Sequence, residues 1–115
     1  LANSQNVSHI FDNITSPIIL EKINLSETNV SKQDIQKLFE IAPNLKTINL
    51  SNIQNITHLF DNIDAIPSLE VIDLRNTDIL EQDIQRLYEI APNLKFLIRD
   101  NDDLLNLSTY NFYIN

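Results

Sequence analysis

An internal repeat limits this chain more than any other feature of its sequence. Residues 5–52 align with residues 54–101 at a constant offset of 49, without a gap, with 25 identities in 48 positions. Gln33-Asp34-Ile35-Gln36 recurs as Gln82-Asp83-Ile84-Gln85, and Glu40-Ile41-Ala42-Pro43-Asn44-Leu45-Lys46 recurs as Glu89-Ile90-Ala91-Pro92-Asn93-Leu94-Lys95. Each unit divides again. Leu20-x-x-Ile23-x-Leu25, Leu45-x-x-Ile48-x-Leu50, Leu69-x-x-Ile72-x-Leu74 and Leu94-x-x-Leu97 start 25, 24 and 25 residues apart. A fixed period of this size marks a stacked-repeat architecture, because one short unit cannot bury its own apolar side chains and needs its neighbours to do so.

Within each unit the apolar pattern changes period. The end of each LxxLxL segment alternates with period two, which predicts a short strand. Val30, Ile35, Leu38 and Ile41 follow the first strand, and Ile79, Ile84, Leu87 and Ile90 the third, at helical spacing. Helices are therefore expected over about residues 32–42 and 81–91. Ser31-x-x-Asp34 and Asp78-x-x-Glu81 supply capping boxes, and Pro43 and Pro92 end the helices. Ile53, Ile56, Leu59, Ile63 and Ile66 predict a third helical stripe, stopped by Pro67, and Pro17 plays the same part near the chain start.

These residues resemble the leucine-rich-repeat family. The LxxLxL motif, a variable ninth position (Thr28, Ile53, Thr77), a helical return and a Pro before the next Leu run through about residues 1–101. The resemblance is to the longer, 24–25-residue repeats. It implies an α/β solenoid, a horseshoe arc with parallel strands on the concave face and helices on the convex face. The chain is read as one domain, 1–115. Residues 1–19 form a partial first repeat, 20–44, 45–68 and 69–93 full repeats, and 94–115 the last repeat and a C-terminal cap. Arg99 stands where the fourth unit needs an inward Leu, so the repeat is ending there. Tyr110, Phe112, Tyr113 and Ile114 are expected to fold back over the last unit.

Composition excludes several chemistries. There is no Cys and no Gly, which removes disulfides, thiol nucleophiles, thiolate metal sites and Gly-rich phosphate loops. A formal net charge of −8 lacks the basic footprint of a nucleic-acid binder. No apolar run approaches the roughly 18 residues of a membrane span. No signal peptide is recognisable at the start. Asn, with 16 copies, is expected at the positive-φ turn positions that Gly would otherwise take. Seven Asn-x-Ser/Thr sequons follow from this composition and from the repetition, and two of them, Asn24 and Asn49, fall within strands.

Candidate catalytic groups are few. His9 and His58 each precede an Asp by three residues, Asp12 and Asp61, but they hold equivalent positions in the repeat. They are read as surface or packing residues, not as general bases. Asp100, Asp102 and Asp103 lack the Gly and the bidentate Glu of an EF-hand loop. No catalytic residue, cofactor or metal is expected.

A binding surface is expected instead at the strand positions that point away from the core. These make three columns: Lys22, Thr47, Val71, Phe96; Asn24, Asn49, Asp73, Ile98; and Ser26, Ser51, Arg75, Asp100. An apolar centre at Val71, Phe96 and Ile98 with a charged rim has the anatomy of a protein-binding hot spot, although the tail aromatics could cover Phe96 and Ile98. The function expected is non-catalytic recognition of another protein with a basic patch. Ile- and Asn-rich, Cys-free repeats of this kind resemble effectors that intracellular bacteria deliver into host cells. That resemblance implies a cytoplasmic location, in the host if the protein is translocated. It also implies a host protein or another effector as partner, regulated or inhibited by occlusion of its active site. The alternatives are the substrate-recognition arm of a larger assembly such as a ubiquitin ligase, and an enzyme dependent on His58.

Overall fold

The computed structural model describes residues 9–100. They form an α/β architecture in the order β1 (Lys22–Asn24), α1 (Lys32–Ile41), β2 (Thr47–Asn49), β3 (Val71–Asp73), α2 (Glu81–Ile90) and β4 (Phe96–Ile98). The four strands make one parallel sheet in chain order. Its register places Lys22 beside Thr47, Thr47 beside Val71, and Val71 beside Phe96. Residues equivalent in the repeat therefore lie side by side. The ladder runs past each three-residue strand, through Leu25 N–H to Asn49 C=O at 2.9 Å, Leu50 N–H to Asp73 C=O at 2.9 Å and Leu74 N–H to Ile98 C=O at 2.8 Å.

The core lies on the Leu/Ile face. Leu25, Ile48, Leu50, Ile72, Leu45 and Leu69 are fully buried there. Each such side chain contributes about 1.5–3 kcal/mol when taken out of water, which is how strands this short are held. Ile35, Leu38 and Ile41 of α1 and Ile84, Leu87 and Ile90 of α2 close the core from the other side.

Both helices fall within a residue of their expected bounds. At α1, Ser31 is the N-cap: its Oγ accepts from Asp34 N–H at 3.1 Å, and Ser31 N–H donates to Asp34 Oδ2 at 3.0 Å. The expected Asp78–Glu81 box is corrected. The N-cap of α2 is Leu80, whose N–H donates to Asp83 Oδ2 at 3.0 Å. A Leu side chain has no acceptor, so only half of the reciprocal box exists. Asp78 instead accepts from Asn55 N–H at 2.9 Å and Ile56 N–H at 3.0 Å. Glu81 pairs with Arg99 at 2.8 Å, which keeps that guanidinium outside the core.

The helix expected between β2 and β3 does not form. Residues 57–62 are turns, closed by Leu59 N–H to Ile56 C=O, Asp61 N–H to His58 C=O and Ile63 N–H to Phe60 C=O, each 3.2 Å. Asn52, Asn55 and His58 have φ of 63°, 64° and 63°, and left-handed residues cannot propagate a right-handed helix. The stretch near Pro17 likewise has turns at residues 9–13 and no helix among its described residues. Three-residue turn steps bury Ile53, Ile56, Leu59 and Ile66 as well as a helical stripe would. Carbonyls left open by the missing helix are bonded from both sides: Lys32 Nζ donates to Thr57 C=O (3.1 Å), Gln36 Nε2 to Leu59 C=O (3.0 Å) and Arg86 Nη2 to Ile63 C=O (2.8 Å). Buried backbone groups require such partners.

Among the described residues Asn holds three of the six positive-φ positions, Asn52, Asn55 and Asn76; the others are His9, Glu27 and His58. Glu27, Asn52 and Asn76 are the same turn position in successive units, two residues after the last Leu of the motif. No helix among the described residues is long and apolar enough to cross a membrane.

Candidate functional site

Alternation along each strand puts Ile23, Ile48, Ile72 and Leu97 on the core face and their neighbours on the opposite face. The three expected columns are present there in register. Their accessibility is uneven. Lys22 and Asp100 are exposed, and Asn24, Ser26, Arg75 and Phe96 are half-buried. Thr47, Asn49 and Ser51 are buried, and Val71, Asp73 and Ile98 have no exposed surface at all. Val71 and Ile98 nonetheless lie outside the contiguous core. The expected open apolar centre is thus restricted to Phe96. The expected cap of Tyr110, Phe112, Tyr113 and Ile114 lies outside the described residues, as do Asp102 and Asp103.

The second column has a local task that sequence reading missed. Asn24 Oδ1 accepts from Ser26 N–H at 2.9 Å, and Asn49 Oδ1 from Ser51 N–H at 2.9 Å. Asp73 Oδ1 accepts from Arg75 N–H at 3.1 Å. These are Asx-turns that bend the chain out of β1, β2 and β3. Their signal was an acceptor side chain two residues before a small or polar one, repeated three times.

The third unit adds a charge pair to this turn. Arg75 Nε lies 3.0 and 3.1 Å from the two Asp73 carboxylate oxygens, and Nη2 lies 2.7 Å from Oδ2. Arg75 is therefore engaged with a fully buried carboxylate and is not simply a rim charge offered to a partner.

A second cluster sits beside the helices. His58 and Asp61 are exposed in the 57–62 turn, with His58 Nδ1 3.2 Å from Asp61 Oδ2. Asp83, from the first turn of α2, completes the group. Its Oδ2 accepts from His58 N–H and Leu80 N–H, and its Oδ1 lies 4.0 Å from His58 Nδ1. Two units earlier, His9, Asp12 and Asp34 repeat the arrangement; within each trio one ligand atom per residue lies within 4.8 Å of the others. The expected helical face carrying His and Asp is replaced by a turn in both places. In the earlier copy His9 Nδ1 is hydrogen-bonded to Asp12 Oδ2 at 2.9 Å. Both Asp34 oxygens accept from His9 N–H at 3.1 Å, and Oδ2 accepts from Ser31 N–H as well. Burial pushes the Asp34 carboxyl up. The N–H groups of Ser31 and His9, the Ser31 hydroxyl and the nearby imidazole outweigh it, so the group titrates below the ordinary Asp value.

Two open grooves flank α1. The larger, of about 520 Å³, runs between α1 and residues 62–65 and is lined by Gln36, Lys37, Phe39, Glu40, Ile63 and Asp64. The smaller, of about 400 Å³, is lined by residues such as Asn29, Ser31, Lys32, Gln54 and Asn55. Neither contains His58 or His9, so neither joins an imidazole base to a nucleophile. Searches against protein-family models, curated proteins and solved structures found no match to this chain.

Proposed function

We propose that the chain is a leucine-rich-repeat solenoid that binds another protein through the sheet face opposite its core, without catalysis. The observation that carries this reading is the register. Strands spaced 24 or 25 residues apart in sequence lie side by side in chain order, so side chains from four units converge on one surface. Such a surface varies in composition while the Leu/Ile face stays constant. The partner's footprint centres on the accessible members, Lys22, Asn24, Ser26, Phe96 and Asp100, with Arg75 at its edge. The net charge of −8 favours a partner with a basic patch and speeds the encounter electrostatically.

The resemblance to bacterial effectors supports a regulatory role, in which the bound protein is blocked at its own active site in the host cytoplasm. The test is affinity purification with mass spectrometry from the source organism and from a host, followed by affinity measurement with the partner recovered. Phe96→Ala and Lys22→Glu should each weaken that complex at least tenfold while leaving the circular dichroism spectrum unchanged. Unaltered affinity in both variants would overturn the assignment of the face. Hydrolase activity that disappears in His58→Ala would overturn the non-catalytic reading.

A further inference from the structure

The His58 cluster contains an unspent ligand atom. Asp83 is 1% exposed, and its Oδ1 is a buried oxygen that accepts no hydrogen bond among the described residues. A buried carboxylate oxygen left in this way costs free energy unless a positive group faces it. What faces it is His58 Nδ1, 4.0 Å away, with Asp61 Oδ2 at 3.2 Å from the same nitrogen. Three electron-pair donors thus converge. A proton on Nδ1 would satisfy Asp61, but 4.0 Å is too long for it to reach Asp83.

We propose that His58, Asp61 and Asp83 bind a divalent transition-metal ion of the zinc class. One imidazole nitrogen and two carboxylate oxygens are ligands that zinc accepts, and the imidazole disfavours calcium and magnesium. Zinc–ligand bonds of about 2.0–2.2 Å in tetrahedral geometry place ligand atoms roughly 3.3 Å apart. The His58–Asp61 pair already has that spacing, at 3.2 Å. The Asp83 pair must close by about 0.7 Å to reach it, and the exposed His58 side chain supplies that movement. The fourth position is left to water or to a donor from a partner. The site joins the 57–62 turn to the start of α2, two segments that no strand pairing connects.

The equivalent cluster two units earlier serves as an internal control. There both Asp34 oxygens accept backbone N–H groups and His9 is hydrogen-bonded to Asp12, so the buried carboxylate has no oxygen without a hydrogen bond. The proposal is therefore confined to His58, Asp61 and Asp83.

The test is calorimetric titration of the full chain with Zn²⁺ at pH 7.5, repeated with Ca²⁺ and Mg²⁺, and with Co²⁺ followed by visible absorption. The wild type should bind Zn²⁺, and His58→Ala and Asp61→Asn should each weaken that binding at least tenfold. Both residues are exposed, so these variants keep the fold. Asp83→Asn risks the cap of α2 and is secondary. Zn²⁺ should also raise the Tm of the wild type and of His9→Ala, but not of His58→Ala, because an ion held by the folded site and not by the unfolded chain stabilises the folded state by linkage. The proposal is overturned if the wild type takes up no Zn²⁺, or if His58→Ala and Asp61→Asn bind it unchanged. Equal binding of Ca²⁺, or a Tm rise that persists in His58→Ala, also overturns it and marks an adventitious ion only.

Discussion

Replacing Arg75 by serine should be the most costly single change on the sheet face, and a second change should largely reverse it. Asp73 has no solvent exposure, and the Arg75 side chain is 22% exposed. The substitution strips three charge-assisted contacts of 2.7–3.1 Å from that carboxylate and leaves the Asx-turn bond from residue 75 N–H in place. Removing one member of a buried ion pair costs about 3–5 kcal/mol. Partial exposure of Arg75 brings the expectation to about 2–3 kcal/mol. The other two units show the remedy, for they carry Asn24-Leu25-Ser26 and Asn49-Leu50-Ser51 where this one has Asp73-Leu74-Arg75. The double variant Asp73→Asn, Arg75→Ser therefore recreates a turn the fold already uses twice. It should fall within about 1 kcal/mol of wild type, a coupling of about 2 kcal/mol in a double-mutant cycle. Urea unfolding followed by circular dichroism reads both values. With a slope of about 2 kcal/mol per molar, the single variant should lose roughly 1 M in midpoint. A loss below about 0.5 kcal/mol for Arg75→Ser would refute the argument. So would a double variant no more stable than the single one.

Three further outcomes follow from the same structure. Phe60 is fully buried, with its ring centroid 6.3 Å from that of Phe39, so Phe60→Ala should cost about 3–5 kcal/mol in the same unfolding assay. Arg86 donates to the carbonyls of Phe60 (3.4 Å) and Ile63 (2.8 Å), so Arg86→Ala should speed amide exchange over residues 57–66 while exchange in the sheet is unchanged. Asp34 is held below its ordinary pKa of 3.8, so its stabilisation is complete above that value and is lost as pH falls through the lower folded value. The stability gap between wild type and Asp34→Asn should therefore be widest at neutral pH and narrow below about pH 4. A gap that stays constant down to pH 2 would refute the account of Asp34.

The strands and helices were legible because their signals are local. LxxLxL gives period two over its last residues, and α1 and α2 carry apolar side chains at helical spacing before a Pro. The segment between β2 and β3 was not legible by the same rule. Ile53, Ile56, Leu59, Ile63 and Ile66 fit a helical stripe, but turns that advance three residues at a time bury all of these positions except Ile63, which is half-buried. The deciding residues are left-handed Asn52, Asn55 and His58, together with helpers from other units, Lys32, Gln36, Asp78 and Arg86. The His58 cluster was hidden for a related reason. His58 and Asp61 form a visible pair, but Asp83 comes 25 residues after His58 and is joined to it only by stacking of the units.

The sheet face shows which positions are open to variation. An Asx-turn needs an acceptor at its first residue, so the second column is held to Asn24, Asn49 and Asp73 wherever the turn is made. The turn itself asks only a backbone N–H of the residue two places on, so the third column varies through Ser26, Ser51, Arg75 and Asp100, with the Ser26 hydroxyl and the Arg75 guanidinium adding bonds of their own to the same acceptor. The first column carries no turn bond and varies more widely still, from Lys22 to Phe96. If specificity for a partner evolved on this face, it had to be written in the first and third columns. Ile98 interrupts the second column where the repeat is ending, which is also where Arg99 turns outward to Glu81. Asn24→Asp should therefore be tolerated, because it keeps the acceptor, whereas Asn24→Ala should loosen the exit from β1 by about 1 kcal/mol. Equal stability of the two variants would show that the second column is not constrained by its turns.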